Sequence, residues 1–294
     1  MAGKQTRKPG KPEKKRSKGR EVWGRLRKNK MAMISLAVLV IIIFSAVFAD
    51  LIAPYRYDAV DIRNQFAPLS PAHWLGTDNF GRDILSRIIY GGRISLLVSL
   101  LAIAISTCVG GALGATAAYF GGRYESVVMR CLDVLMAIPA LLLAISISAA
   151  LGSGVVNSAI ALAVAGIPSS ARLMRATVLG IKDQDYVEAA RATGVKNGRI
   201  ILHHILPNTF APILVDCTLR IGANILQIST LSFIGLGVQP PTPEWGSILA
   251  SGRDYIRDYW PVVVFPGLAI MITLIAFNLL GDGLRDALDP RLKH

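Results

Sequence analysis

The chain has 294 residues, of which 52% are hydrophobic, and it carries a formal net charge of +13. Its long apolar stretches are typical of membrane-spanning helices and argue against one or two ordinary soluble domains. Residues 1–30 contain 13 basic residues against 2 acidic ones, so a net charge of +11 lies in this segment alone. A basic tail ahead of a first span fits the positive-inside rule and attraction to anionic lipid, so nucleic-acid binding is not needed to explain the charge.

The N-terminal segment is predicted to be a largely disordered cytoplasmic tail, because its first 20 residues are rich in Lys, Arg, Gly and Pro. Within it, Glu21–Lys30 is expected to form a short interfacial helix that carries Trp23. The chain then divides into four predicted regions: residues 1–30 as the tail, 31–92 as the first span and an extracytoplasmic loop, 93–281 as a transmembrane core, and 282–294 as a cytoplasmic C-terminal tail.

Six apolar runs of membrane-spanning length predict an all-α membrane protein with six transmembrane helices. The expected spans are Met31–Ile52, Arg93–Phe120, Val127–Leu151, Val155–Ala176, Thr209–Gly235 and Pro261–Leu280. The residues before Asp50 resemble a signal-peptidase site, but the apolar run and its basic lead are long for a signal peptide. The first span is therefore predicted to be retained. Pro139 lies inside the third span, and Pro168 is expected to kink the fourth.

The extracytoplasmic loop contains the string HWLGTDNFGRD from His73 to Asp83. Gly76 and Gly81 are suited to tight turns, and Asp83 is suited to capping the helix that follows. His73 and Asp78 are metal-ligand types, but one histidine and one aspartate are too few for a metal site. The string is therefore predicted to shape the loop.

Small residues in the spans are expected to serve helix packing. Gly110 and Gly114 form a GxxxG pair in the second span, which lets two helices approach closely in lipid. The cysteines have neither the spacing of a disulfide framework nor that of a metal site. They are expected to be small buried hydrophobic residues: Cys108, Cys131 and Cys217.

The fifth span is the least apolar of the six. Asp216 and Arg220 are four residues apart, so they lie on one helix face and can pair. Asn224 and Gln227 continue along roughly the same side. Charges inside a span are costly and should face protein or a water-filled path. Two interpretations stay open for this face: a translocation path for a solute, or a structural ion pair against a neighbouring helix.

A polar, helix-forming segment, Tyr186–Asn208, separates the fourth and fifth spans within a loop at residues 182–208. Asp185 is predicted to cap a short helix, with Glu188 at the N3 position reaching back to the cap. Gly194 is predicted to stop this helix by turning left-handed. Asn197 is then expected to cap a second helix, which Pro207 ends or kinks.

The segment resembles the EAA loop of ABC importer permeases, through Glu188-Ala189-Ala190, then Gly194, and later Leu206-Pro207. The string HILPN at its end, the string HWLGTDNFGRD, and the strings at residues 235–246 and 281–291 are similar to the C-type subunit of the dipeptide, oligopeptide and nickel importer branch. Gln227 departs from the glutamate often found there in the family.

The resemblance implies a type I ABC importer permease fold with cytoplasmic coupling helices between spans 4 and 5. It assigns contact with an ATPase to Tyr186, Glu188, Ala189, Ala190, Arg191, Gly194 and Pro207. It implies a second permease subunit, two ATPase subunits that bind ATP and Mg, and an extracytoplasmic solute-binding protein. No cofactor is expected in this chain itself.

Orientation follows from the loop charges. Residues 172–208 have a net charge of +3, from 6 basic and 3 acidic residues, whereas residues 238–259 have a net charge of −1, from 2 basic and 3 acidic residues. The excess of basic residues places the segment at residues 182–208 in the cytoplasm, together with both termini. The expected location is the cell membrane of a bacterium or the corresponding membrane of an archaeon.

Other classes of membrane protein compete with this interpretation. The sequence contains no GxxxxGK[ST] string, so the chain has no P-loop of its own, and no HExxH or GxSxG string, which argues against an intramembrane protease. An ATP-independent channel or secondary transporter is an alternative, but no internal repeat is found. The favoured function is a permease subunit for peptides; import of nickel or a metal chelate is the alternative within the same branch.

Overall fold

The computed structural model describes residues 18–289, and this part of the chain is helical apart from connecting loops and one isolated bridge between Thr77 and Asp83. The α-helices are α1 (Lys18–Leu26), α2 (Lys30–Val47), α3 (Ala49–Ile52), α4 (Ile84–Phe120), α5 (Gly122–Met136), α6 (Ala140–Leu151), α7 (Val155–Leu179), α8 (Asp185–Ala192), α9 (Asn197–Ile200), α10 (Leu206–Phe233), α11 (Trp245–Gly252) and α12 (Pro261–Leu288). The predicted disorder of residues 1–17 lies outside the described residues.

Within residues 18–289, five helical segments are long and apolar enough to cross a membrane, and a sixth span exists if the bent pair α5 and α6 is one crossing. The predicted third span, Val127–Leu151, is therefore not one straight helix: α5 and α6 meet at 83°. Pro139 lies in the break and has an extended backbone, with φ −53° and ψ 132°. Proline lacks a backbone N–H and disfavours helical geometry in the residue before it, which explains the break.

The bundle is centred on α4, which packs along α7 and also contacts α2, α10 and α12. The GxxxG prediction is confirmed at this contact. A Cβ atom at Gly110 would lie 2.5 Å from the carbonyl oxygen of Ile167, and one at Gly114 would collide with the backbone of Ala171. Glycine at these two positions therefore allows the backbones of α4 and α7 to approach closely. Pro168 lies within α7 without ending it.

The loop at residues 53–83 is held by its acidic residues. Asp83 caps α4 as predicted, since its Oδ2 accepts hydrogen bonds from the backbone N–H and the Oγ–H of Ser86, both at 2.7 Å. Asp78 accepts a hydrogen bond from Arg82 Nε at 2.7 Å and is 1% exposed. Gly76 and Gly81 have φ values of +80° and +71°, which confirms the predicted turns.

His73 pairs with the carboxylate that caps α4. His73 Nδ1 lies 3.0 Å from Asp83 Oδ1 and does not join Asp78, and the described residues contain no group of three potential metal-ligating side chains. The Tyr259 hydroxyl donates to the carbonyl oxygen of Ala67, which ties the loop to the chain before α12. Burial raises the pKa of this hydroxyl above its ordinary value.

The two ends of the described chain meet. Helix α1 begins at Lys18, earlier than the predicted Glu21, and α12 continues to Leu288, beyond the predicted end at Leu280. Arg25 donates to the carbonyl oxygens of Ala287 and Asp289, both at 3.4 Å, and so partners carbonyl groups at the end of α12. Helix α1 is therefore a packed part of the fold.

The prediction that the cysteines are buried is wrong for two of them. Cys108 and Cys131 are exposed on the surface of the chain, and Cys217 is half-buried. All three lie on membrane-length or adjoining apolar helices. In lipid an apolar side chain has no need to be buried in protein, so apolar context does not predict burial as it does in water.

Candidate functional site

The segment between α7 and α10 is built around α8. Its N-cap residue is Gln184, so Asp185 is the first helical residue and Glu188 is the fourth; the predicted capping box is wrong. No side chain caps the helix, and the backbone N–H of Glu188 bonds to the carbonyl oxygen of Gln184 at 3.1 Å. Both carboxylates still lie in the first turn, where they favour the helix dipole.

Gly194 ends α8 as predicted. Its φ is +74°, its N–H donates to the carbonyl oxygen of Arg191 at 3.0 Å, and the N–H of Val195 donates to that of Ala190 at 3.2 Å. These two bonds form a Schellman motif, which requires the left-handed conformation at this residue. A Cβ atom here would meet nothing within 4 Å, so the requirement for glycine is conformational.

One face of α8 is buried against the helix bundle. Val187 is 0% exposed and Ala190 is 9% exposed, in a cluster with Val178, Ile200 and Ile205. Of the residues predicted to contact an ATPase, Ala190 therefore turns inward. The others on this segment are exposed: Tyr186, Glu188, Ala189, Arg191 and Gly194. A helix of eight residues is only marginally stable in isolation, and this packing stabilises α8.

The segment is attached to the end of α4 as well. The Arg191 guanidinium lies 5.1 Å from the centre of the Tyr119 ring, and the Tyr119 hydroxyl donates to Asn197 Oδ1 at 2.9 Å. Lys182 Nζ donates to the carbonyl oxygen of Ala118 at 3.3 Å. A displacement of α8 is therefore expected to be transmitted directly to α4, α7 and α10.

The second half of the segment differs from the prediction. Lys196, and not Asn197, is the N-cap of α9, and a π-helical turn at Ile201–Ile205 joins α9 to α10. Pro207 is exposed in the first turn of α10 and does not end the helical run. The wider π turn explains this, because it displaces the carbonyl groups that a proline ring would otherwise meet.

The polar face of α10 is divided between two environments. Arg220 Nη1 lies 3.5 Å from Asp216 Oδ2, a long contact. The same guanidinium donates to Ser106 Oγ at 3.1 Å, to the carbonyl oxygen of Gly166 at 3.3 Å, and to Ser170 Oγ. Arg220 therefore joins α10 to α4 and α7.

Asp216 lies instead on the wall of an open cleft of about 460 Å³, shared by residues of α7, α10 and α12. Asn224 is buried and Gln227 is half-buried, and neither lines this cleft. Asp216 and Arg220 thus keep the predicted i, i+4 contact, whereas Asn224 and Gln227 lie outside the cleft that Asp216 lines.

A buried carboxylate elsewhere was missed. Glu244 is the N-cap of α11, and it forms a capping box with Ser247. Its side chain is 0% exposed and accepts hydrogen bonds from Ser95 Oγ at 2.9 Å and Ser229 Oγ at 3.1 Å, which joins α11 to α4 and α10. The spacing of Glu244 and Ser247 was the available signal for the start of α11. Thr242 followed by Pro243 is also typical of a helix start and competes with it.

In the described part of the chain, five or six membrane-length helices, with the short helix α8 between α7 and α10, define a multi-pass membrane protein. Residues 109–294 match the family described as binding-protein-dependent transport system inner membrane component, and residues 17–71 match the N-terminal transmembrane domain of oligopeptide transport permease C. The chain belongs to this family of ABC importer permeases.

Curated relatives cover nearly the whole chain. It is 44% identical to the dipeptide transport system permease protein DppC of Alkalihalophilus pseudofirmus, over 93% of this chain and 90% of the relative. It is 45% identical to the di/tripeptide transport system permease protein DppC of Pseudomonas aeruginosa, over 94% and 93% of the two chains. It is 46% identical to the glutathione transport system permease protein GsiD of Escherichia coli, over 96% and 94%.

A solved structure supports the fold. An inward-facing form of the MetNI methionine ABC transporter aligns with a TM-score of 0.57 and 16% identity, over 70% of this chain and 98% of the other. At this identity the likeness concerns the fold alone, and it confirms the predicted type I importer permease architecture.

Proposed function

We propose that this protein is the permease subunit of an ATP-driven importer of short peptides. Support comes from relatives with 44% and 45% identity that are named for dipeptide and di/tripeptide transport. None of the relatives described above is named for nickel, so the metal-chelate alternative is not favoured. One relative is named for transport of glutathione, a modified tripeptide, so small peptides with other linkages are a second candidate class of substrate.

The chain works with partners. A second permease subunit completes the membrane path, two ATPase subunits bind ATP and Mg, and an extracytoplasmic solute-binding protein delivers the peptide. This chain holds no cofactor of its own and catalyses no reaction. It lies in the inner membrane of a bacterium with both termini in the cytoplasm, as the basic N-terminal segment favours.

The exposed face of α8 is the contact with one ATPase. Tyr186, Glu188, Ala189 and Arg191 face outward on a helix whose other face is buried, so they form a fixed surface for a partner. The Schellman turn at Gly194 sets the direction of the chain towards α9 and, through Pro207, towards α10. Closure of the ATPases then moves α8 and the long helices together.

The translocation path is proposed along the side of α10 that carries Asp216. Arg220 supports this path by fixing α10 against α4 and α7. Asn224 and Gln227 are assigned to the path as polar residues further along the same helix. Contact with solute is assigned to the open cleft at Asp216, because it is the polar part of this face that remains accessible.

The test is peptide uptake by the complete system. Cells that lack their own peptide importers, and that express this chain with its partner permease, ATPases and binding protein, should accumulate radiolabelled dialanine. A matched strain in which the P-loop lysine of the ATPase subunits is substituted should not accumulate the dipeptide. Uptake of a nickel chelate with no uptake of dialanine, glutathione or longer peptides would contradict the proposal.

A further inference from the structure

Asp216 is a carboxylate in a membrane-spanning helix, and its ion pair with Arg220 is long. Its contact with Arg220 is 3.5 Å long, whereas the same guanidinium lies 3.1 Å from Ser106 Oγ and 3.3 Å from the Gly166 carbonyl oxygen. It also donates to Ser170 Oγ. Arg220 thus also donates to three neutral groups of α4 and α7, and its ion pair with Asp216 is the longest of these four contacts.

The carboxylate faces open space. The Asp216 side chain is 33% exposed, against 17% for Arg220, and it lines the cleft of about 460 Å³ between α7, α10 and α12. The apolar part of the lining consists of Leu173, Ala211, Pro212, Val215, Leu219 and Leu288. The polar part includes Arg285 and Asp289 near the end of α12, so the cleft carries both signs of charge.

The partly exposed carboxylate of Asp216 is suited to bind a cationic ligand in this cleft. An ionised group within a span is costly unless it is paired or meets water, and a charge-assisted hydrogen bond from an ammonium group is a strong available interaction. A cleft of several hundred Å³ has the size typical of small-molecule sites. A short peptide at neutral pH is a zwitterion with a terminal ammonium group, and it matches an accessible carboxylate beside a guanidinium.

Resting on the proposed function, we infer that Asp216 binds the terminal ammonium group of the peptide in transit. The peptide enters the cleft with its ammonium on α10, and Arg285 on α12 faces its carboxylate end. The site holds the solute weakly, because one wall is open, and it selects for a free amino terminus within the permease, independently of the binding protein.

The experiment is equilibrium binding to the assembled permease–ATPase complex in nanodiscs, without the solute-binding protein. Saturation-transfer NMR detects weak ligands, and the probes are dialanine and N-acetyl-dialanine, which differ in the ammonium charge. The wild-type complex should bind dialanine about tenfold more tightly, the effect of one charge-assisted hydrogen bond at a partly exposed site. In Asp216→Asn the two probes should bind with nearly equal affinity.

Asp282→Asn is the matched control, because it removes an exposed carboxylate of α12 that does not line the cleft, and it should keep the wild-type preference. Equal binding of both probes to the wild-type complex would overturn the inference and leave Asp216 to a cation of the second permease subunit. A preference that survives in Asp216→Asn would overturn it as well. Neither result concerns dialanine uptake by the complete system, which tests the proposed function separately.

Discussion

Substitution of Gly194 by valine tests whether the shape of the α8 turn matters for transport. Gly194 has φ +74°, and the Schellman bonds from Gly194 and Val195 depend on that conformation. A residue with a Cβ pays about 1–2 kcal/mol to adopt left-handed geometry, and a β-branched residue such as valine is among the least tolerant. Since nothing lies within 4 Å of the added Cβ, this cost is conformational and local.

The expected outcome is a permease that inserts and assembles but does not couple ATP hydrolysis to uptake. Assembled complex, substrate-stimulated ATPase activity and dialanine uptake are measured on the same preparation. Gly198→Val is the matched control, because Gly198 has open space around it and no left-handed φ, and it should transport at near the wild-type rate. Gly194→Asn should retain much of the activity, because asparagine adopts the left-handed conformation more readily. Full uptake by Gly194→Val would refute the role given to this turn.

Three further results are expected. Arg220→Met should lower the free energy of unfolding of the purified permease by about 1–3 kcal/mol, because the hydroxyl oxygens of Ser106 and Ser170 lose their hydrogen-bond donor. An unchanged melting temperature would contradict this expectation. Glu244→Ala should destabilise the permease by a similar amount and Glu244→Gln by less, since an amide oxygen can still accept from the surrounding hydroxyls; equal effects on melting temperature would argue against the hydrogen bonds. In intact cells, a membrane-impermeant maleimide should label Ser251→Cys and not Lys196→Cys, and the reverse pattern would invert the proposed orientation.

The spans were predictable from the sequence because the cost of exposing polar backbone in lipid forces long apolar helices. Close packing of α4 on α7 was also predictable from Gly110 and Gly114. The break near Pro139 was not, because proline can kink a span or divide it, and neighbouring helices decide between the two. Cys108 and Cys131 show the same limit, since an apolar residue in a span can face either lipid or protein.

The short helix of the candidate site and its C-terminal turn were predictable, whereas its start and its packing were not. Gly194 stops α8 because left-handed geometry strongly favours glycine, a rule that acts locally. The start of α8 lies one residue earlier than predicted, and the inward direction of Ala190 depends on contacts with residues distant in sequence. The contact of Arg220 with Asp216 was predictable from their spacing, but its closer partners were not, because they come from α4 and α7.

The central claim is that the exposed face of α8 contacts an ATPase subunit, and site-specific cross-linking tests it most directly. Ala189→Cys places a thiol on that face, and Ser251→Cys places one on the helix α11, far along the chain from α8. With a maleimide that carries a photoreactive benzophenone, which inserts into a nearby C–H bond of the partner, and membranes that contain the complete system, Ala189→Cys should yield a covalent permease–ATPase product whose amount changes when ATP is added. Ser251→Cys should yield none. Absence of an ATPase adduct from Ala189→Cys, in a preparation that still imports dialanine, would contradict the account.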